Sequence, residues 1–136
     1  MFKFDQKMDE SHANNLSPVV LAFVGDAVYT LFVRERLIFH NDSKSGELNK
    51  LATSQVKATA QADFFKQIEP LLNDKEVAIF KRARNAKKTT KAKNASVYEY
   101  NISTGFEALL GYLYLVGDYD RLNFLLNKGI TDENWR

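Results

Sequence analysis

The sequence predicts an all-α fold of about five to seven helices. Three observations carry this. Apolar residues recur at threes and fours along most of the chain. Helix-start signals stand before those stretches, Ser17-Pro18 and Asn73 with Glu76 among them. Gly and Pro number only 6 and 2, too few for a turn-dense β-sandwich.

The elements follow in order. Ser17 caps a helix that Pro18 opens and that runs to about Phe39. Val19, Val20, Leu21, Phe23, Val24, Ala27, Val28, Leu31 and Phe32 make it apolar nearly all round, the pattern of a central helix. Asn41 to Gly46 is a polar loop. Leu48, Leu51, Ala52, Val56, Ala60, Phe64 and Ile68 then predict one long amphipathic helix from about Ser45 to near Pro70, with Lys50 and Lys57 at solvated positions. Asn73 and Glu76 predict a capping box and a helix to about Ala86. Lys87 to Ile102 has no clear period, and Val97, Tyr98 and Tyr100 suggest a short extended piece. Ser103 or Thr104 caps a helix to Val116, stopped by Gly117. Asp118 starts the last helix, with Gly129 at its end.

At 136 residues the chain is expected to be one domain, residues 1–136, with its core over about 16–130. Apolar residues at 45% and aromatics at 12% exclude disorder along the whole chain. The absence of Cys excludes disulfides, Fe–S clusters and thiolate zinc sites, and two His exclude a His-rich cage. Any metal must therefore be held by oxygen, which points to Mg²⁺ or Mn²⁺. The apolar runs stop at Asp26 and Asp118, well short of the ~18–20 residues of a membrane span. The first ten residues carry Asp5, Asp9 and Glu10 and no apolar stretch, so no secretory leader is expected. A cytoplasmic protein is the expectation.

Net charge is only +2, but it is unevenly placed. Lys81, Arg82, Arg84, Lys87, Lys88, Lys91 and Lys93 fall within thirteen residues that hold no acid, which leaves −5 for the rest of the chain. A basic segment on a mildly acidic body suits a polyanion such as nucleic acid; a solvated loop is the plainer reading.

Two carboxylates interrupt the most apolar helices. Asp26 has Ala22, Phe23, Tyr29 and Thr30 three and four residues away. Glu107 lies within Phe106–Leu115. A buried lone carboxylate is costly, so each is expected to be paired, protonated or bound to a metal. Gly25 sits beside Asp26 and Gly111 one turn after Glu107, which predicts two helices crossing tightly with one acid on each. Two acids on a hard cation, beside a basic segment, describe metal-assisted phosphodiester chemistry; pairing with an Arg is the alternative.

These same residues carry a family resemblance. Leu21-Ala22-Phe23-Val24-Gly25-Asp26-Ala27-Val28 resembles the signature helix of the ribonuclease III family, and Phe106-Glu107-Ala108-Leu109-Leu110-Gly111-Tyr112-Leu113-Tyr114 resembles its second catalytic helix. Lys81-Arg82-Ala83-Arg84-Asn85-Ala86-Lys87 between them resembles the Mini-III branch, which has the catalytic domain without a double-stranded-RNA-binding domain. The resemblance covers about Leu16 to Ile130. It implies a ribonuclease III-type endonuclease domain that hydrolyses double-stranded RNA with Mg²⁺, Mn²⁺ being a substitute, and leaves 5′-phosphate and 3′-hydroxyl ends. Asp26 and Glu107 would be the catalytic metal ligands, and Lys81, Arg82, Arg84, Asn85, Lys87, Lys88, Lys91 and Lys93 would hold RNA. It also implies a homodimer and precursor 23S ribosomal RNA as substrate, with a ribosomal protein that presents the RNA left open as a partner. The larger family has two more acids, where this chain has Ala22 and Thr104.

The apolar excess of the Pro18 helix points to a symmetric dimer through Val20, Phe23, Val24 and Ala27. Tyr98 and Tyr100 would pack at the base of the basic segment or stack on RNA. The rival readings are a non-catalytic RNA-binding or ribosome-associated helical protein and a helical protein-interaction module.

Overall fold

A computed structural model describes residues 6–40, 44–88 and 96–130. Those residues form seven α-helices and no strand: α1 (Glu10–Asn15), α2 (Pro18–His40), α3 (Ser45–Val56), α4 (Ala58–Ile68), α5 (Asp74–Asn85), α6 (Val97–Leu115) and α7 (Tyr119–Gly129), with a 3₁₀ turn at Glu69–Leu71. The all-α expectation holds. None of these helices is long and apolar enough to cross a membrane.

The fold is organised by the crossing of α2 and α6. A methyl placed on Gly25 would stand 1.6 Å from the carbonyl oxygen of Glu107, and one on Gly111 would stand 2.0 Å from that of Leu21. Only glycine permits backbones to approach so closely. The tight crossing expected from the two glycines is present. Around it, α4 and α5 pack on α6, and α7 closes over α4. Aromatic rings fill the junction. Tyr29 meets Phe106 edge-on at 5.1 Å between centroids, and Phe65 stacks on Phe80 at 4.0 Å. Such pairs contribute ~0.5–1.5 kcal/mol each beyond their burial.

Three elements differ from expectation. The long helix over 45–70 is two helices, because Lys57 is extended (φ −66°, ψ 158°). The break leaves the Val56 carbonyl without a helical partner, and the Gln61 side-chain amide donates to it at 2.8 Å. Lys57 is therefore the cap of α4 and not a helix-interior position. Second, α6 begins at Val97, six residues before the expected cap. Ser96 and Glu99 form a capping box that starts it, so Val97 to Tyr100 is helical. Ser103 and Thr104 lie inside the helix, both hydroxyls donating to the Tyr100 carbonyl at 2.9 Å. Third, α1 was not expected; Asp9 caps it, and it buries Ala13 in the core.

The Asn73–Glu76 capping box of α5 and the Asp118 cap of α7 are formed as predicted. Lys91 and Lys93, and part of the loop expected over 41–46, lie outside the described residues.

Candidate active site

The crossing places the two acids. Glu107 supplies the carbonyl that Gly25 contacts, and Asp26 is the residue after Gly25. This tight crossing brings Asp26 and Glu107 onto one cavity of about 460 Å³. Thr104 and Tyr100 from α6 line it as well, with Lys87 and Lys88 beyond the end of α5. The structure therefore joins the acids and part of the basic segment at one place.

The two carboxyls have different surroundings. Glu107 is half-buried. Burial above all, then a hydrogen bond with Asp26 and the charge of Asp26, push its pKa up to about 9, with the Gln61 amide pulling weakly the other way. Gln61 Nε2 donates to Glu107 Oε2 at 3.2 Å. Asp26 is exposed, against the expectation that both would be buried. The reason is that α2 presents a bare outward face in the single chain. Val20 is 46% and Phe23 78% exposed, and Phe23, Val24, Ala27, Leu31 and Tyr114 surround a second concavity of about 390 Å³ that Asp26 also lines.

The basic residues divide. Lys88 Nζ donates to the carbonyls of Ala83, Arg84 and Ala86 at 2.8–3.0 Å, satisfying the C-terminal end of α5, and burial lowers its pKa. The Arg82 guanidinium donates to the carbonyls of Asn14 and Leu16, tying α1 to α5. Arg84 lies over the Phe80 ring and donates to the Asn85 side chain at 3.1 Å. Lys81, Asn85 and Lys87 are exposed, and Lys87 lines the same cavity as the acids.

Sequence reasoning missed Gln61. It is 3% exposed, on the face of α4 that also buries Phe64, Phe65 and Ile68. Its position three, four and seven residues before those apolar residues was the available signal.

Ala22 and Thr104 are both buried, and Thr104 spends its hydroxyl on its own helix. Among the described residues no group of three or more His, Cys, Asp or Glu forms a metal cluster. The pair that does converge still fits a hard divalent cation. Both donors are carboxylate oxygens, and a carboxyl held near pKa 9 beside a second one marks a place where positive charge relieves the repulsion.

Residues 19–118 match the family model of the Ribonuclease III domain. Several curated relatives bear the name Mini-ribonuclease 3. That of Clostridium tetani is 41% identical over 93% of this chain and 84% of its own. That of Thermoanaerobacter sp. is 45% identical over 85% and 82%, and that of Brevibacillus brevis 44% identical over 93% and 95%. A crystal structure of a protein from Fusobacterium nucleatum aligns with a TM-score of 0.76 at 31% identity, covering 83% of this chain and 90% of that one. The chain belongs to the ribonuclease III family. Within it, this is an endoribonuclease of the Mini-III type. Enzymes of the family generally use a divalent metal, and membership points to double-stranded RNA as the substrate class.

Proposed function

We propose that this endoribonuclease is a Mg²⁺-dependent homodimer that cuts double-stranded RNA in the cytoplasm, maturing precursor 23S ribosomal RNA, with residues 1–136 forming one catalytic domain. The observation that carries the reading is the meeting of Asp26 and Glu107 in a cavity that Lys87 and Lys88 also line. Asp26 and Glu107 would hold Mg²⁺, and the bound ion would supply Lewis-acid chemistry for a water and a phosphate; Mn²⁺ would suit the same oxygen donors. Glu107 is held from α4 through Gln61, and Asp26 reaches in from the rim. Lys87 offers positive charge to the phosphate backbone, with Lys81, Arg84 and Asn85 along the same segment. Lys88 and Arg82 shape that segment through their carbonyl contacts. As water adds to phosphorus the P–O3′ bond breaks, leaving a 5′-phosphate and a 3′-hydroxyl. A-form RNA shows phosphates and 2′-hydroxyls more readily than base edges, so recognition is mainly of shape.

The dimer is read from α2. A second copy seated over Val20, Phe23, Val24 and Ala27 would cover the exposed apolar face and close the seam beside Asp26. Light scattering at micromolar concentration should give about twice 15.6 kDa, and Phe23→Asp should give a monomer. A wild-type monomer under those conditions removes the dimer.

The deciding experiment is cleavage of a plain RNA duplex in Mg²⁺ by Asp26→Asn and Glu107→Gln. Each folded variant should lose more than the ~10–100-fold typical of losses around a metal's ligands. The double variant should be no worse than the worse single, because the pair acts as a unit. Near-normal cutting by either folded single variant removes that residue from the site.

A further inference from the structure

Gln61 links three elements at the site. It belongs to α4, donates to the last carbonyl of α3 at Val56, and donates to Glu107 on α6. Both hydrogens of its amide are thereby used. Exchanging its nitrogen and oxygen would set an acceptor against a carbonyl and a carboxylate, so the partners fix the amide's orientation. Its Oε1 is buried with no hydrogen-bond partner. Burying an unpaired amide oxygen costs roughly 1–3 kcal/mol, a penalty that an apolar residue at this position would avoid. Packing alone does not account for a glutamine here.

We infer that Gln61 is a positioning residue, whose amide holds one oxygen of Glu107 so that the carboxylate faces Asp26 in a single orientation. The break at Lys57 belongs to this arrangement. A continuous helix would use the Val56 carbonyl within its own backbone; the interrupted one offers it to Gln61 as a second anchor. Anchored at α3 and aimed at α6, the amide has little freedom to turn. A carboxylate fixed in this way meets a cation with less ordering left to do, which raises affinity without adding a ligand. The inference rests on the reading of Asp26 and Glu107 as cation ligands.

The test uses the full chain. Mn²⁺ alone is titrated by calorimetry into wild type, Gln61→Leu, Glu107→Gln, Asp26→Asn and the Gln61→Leu/Glu107→Gln double variant. The kcat and KM are then measured on duplex RNA. Gln61→Leu should keep its far-UV circular dichroism, bind Mn²⁺ ~10–100-fold more weakly and lose kcat, with KM little changed. In the Glu107→Gln background the same change should cost no further Mn²⁺ affinity, because Gln61 acts through Glu107. If Gln61→Leu does not fold, Gln61→Met, which keeps the unbranched shape, takes its place. Unchanged Mn²⁺ affinity and kcat in the folded variant overturn the inference, as does an equal loss in both backgrounds. If Asp26→Asn binds Mn²⁺ normally, the ligand reading fails and this inference with it. If Asp26→Asn loses Mn²⁺ and Gln61→Leu retains it, only the role of Gln61 falls.

Discussion

Glu76 on α5 and Glu107 on α6 are both glutamates set into the helical core, and their surroundings drive them in opposite directions. Burial raises the Glu76 pKa, but hydrogen bonds from Arg121 and Asn73 and the charge of Arg121 outweigh it, so the net shift is downward. Arg121 grips both oxygens, Nε to Oε2 at 2.8 Å and Nη2 to Oε1 at 2.7 Å, and also reaches the Leu71 carbonyl. Glu107 has no cation in reach among the described contacts; it has another carboxyl. A buried acid answered by an arginine and a helix cap is part of the frame. One answered by a second acid is left wanting a positive charge, and that marks a site.

The largest effect on stability should come from removing the frame acid. Glu76→Ala leaves Arg121 unpaired and breaks the cap of α5, and should lower stability by ~3–5 kcal/mol in urea unfolding. A loss below about 1 kcal/mol would mean that Arg121 finds water as readily as it found Glu76.

The site acid should do the reverse. In chelator at pH 7.5, Glu107→Gln should be more stable than wild type by on the order of 1 kcal/mol, since it keeps the shape and no longer has to take up a proton on folding. Asp26→Asn, at an exposed position, should stay within ~0.5 kcal/mol of wild type. Equal gains from both would erase the difference between rim and interior.

The signs with pH differ too. Glu76 titrates lower in the folded state, so its contribution is present above the ordinary carboxyl range and is lost as pH falls through the lowered value. Glu107 titrates higher in the folded state, at about 9 against 4.5. Its protonated form is the one folding favours, so cation-free stability should decline as pH rises from about 4.5 to about 9. Thermal melts in chelator at pH 5.5 and 8 should show this decline in wild type and little of it in Glu107→Gln. Parallel curves for the two proteins would locate the pH dependence elsewhere.

The smallest effects concern the basic segment. Lys87→Ala should leave the melting temperature unchanged and reduce the log–log salt slope of duplex binding, read in Ca²⁺, by about 1. Lys88→Ala should lower the melting temperature instead, because three carbonyls at the end of α5 lose their donor. A full salt-slope change from Lys88→Ala with no loss of stability would return Lys88 to the RNA-binding set.

Much of the site could be read directly. Asp26, Glu107 and their glycines stood out because a charge or a glycine in an apolar helix breaks the local pattern, and the structure brings these residues together. The division within Lys81–Lys93 could not be read, since Lys88 and Arg82 are spent on carbonyls that only the fold puts in reach. The start of α6 is legible at Ser96 and Glu99, which form its capping box, whereas Ser103 and Thr104 precede the apolar run and lie inside the helix.

Residue by residue, the amino-acid order determined the helical class, the caps at Asn73 and Asp118, the charge of the basic segment and the tight crossing. Each of these follows from neighbours within about a turn or from a missing Cβ. Tertiary structure alone decided that Lys57 breaks a helix, that Gln61 spans the gap to Glu107, and that Glu107 is sheltered while Asp26 stands at the rim. Those outcomes depend on which groups meet across α2, α4 and α6, and periodicity along a single helix holds no information about a partner 46 residues away.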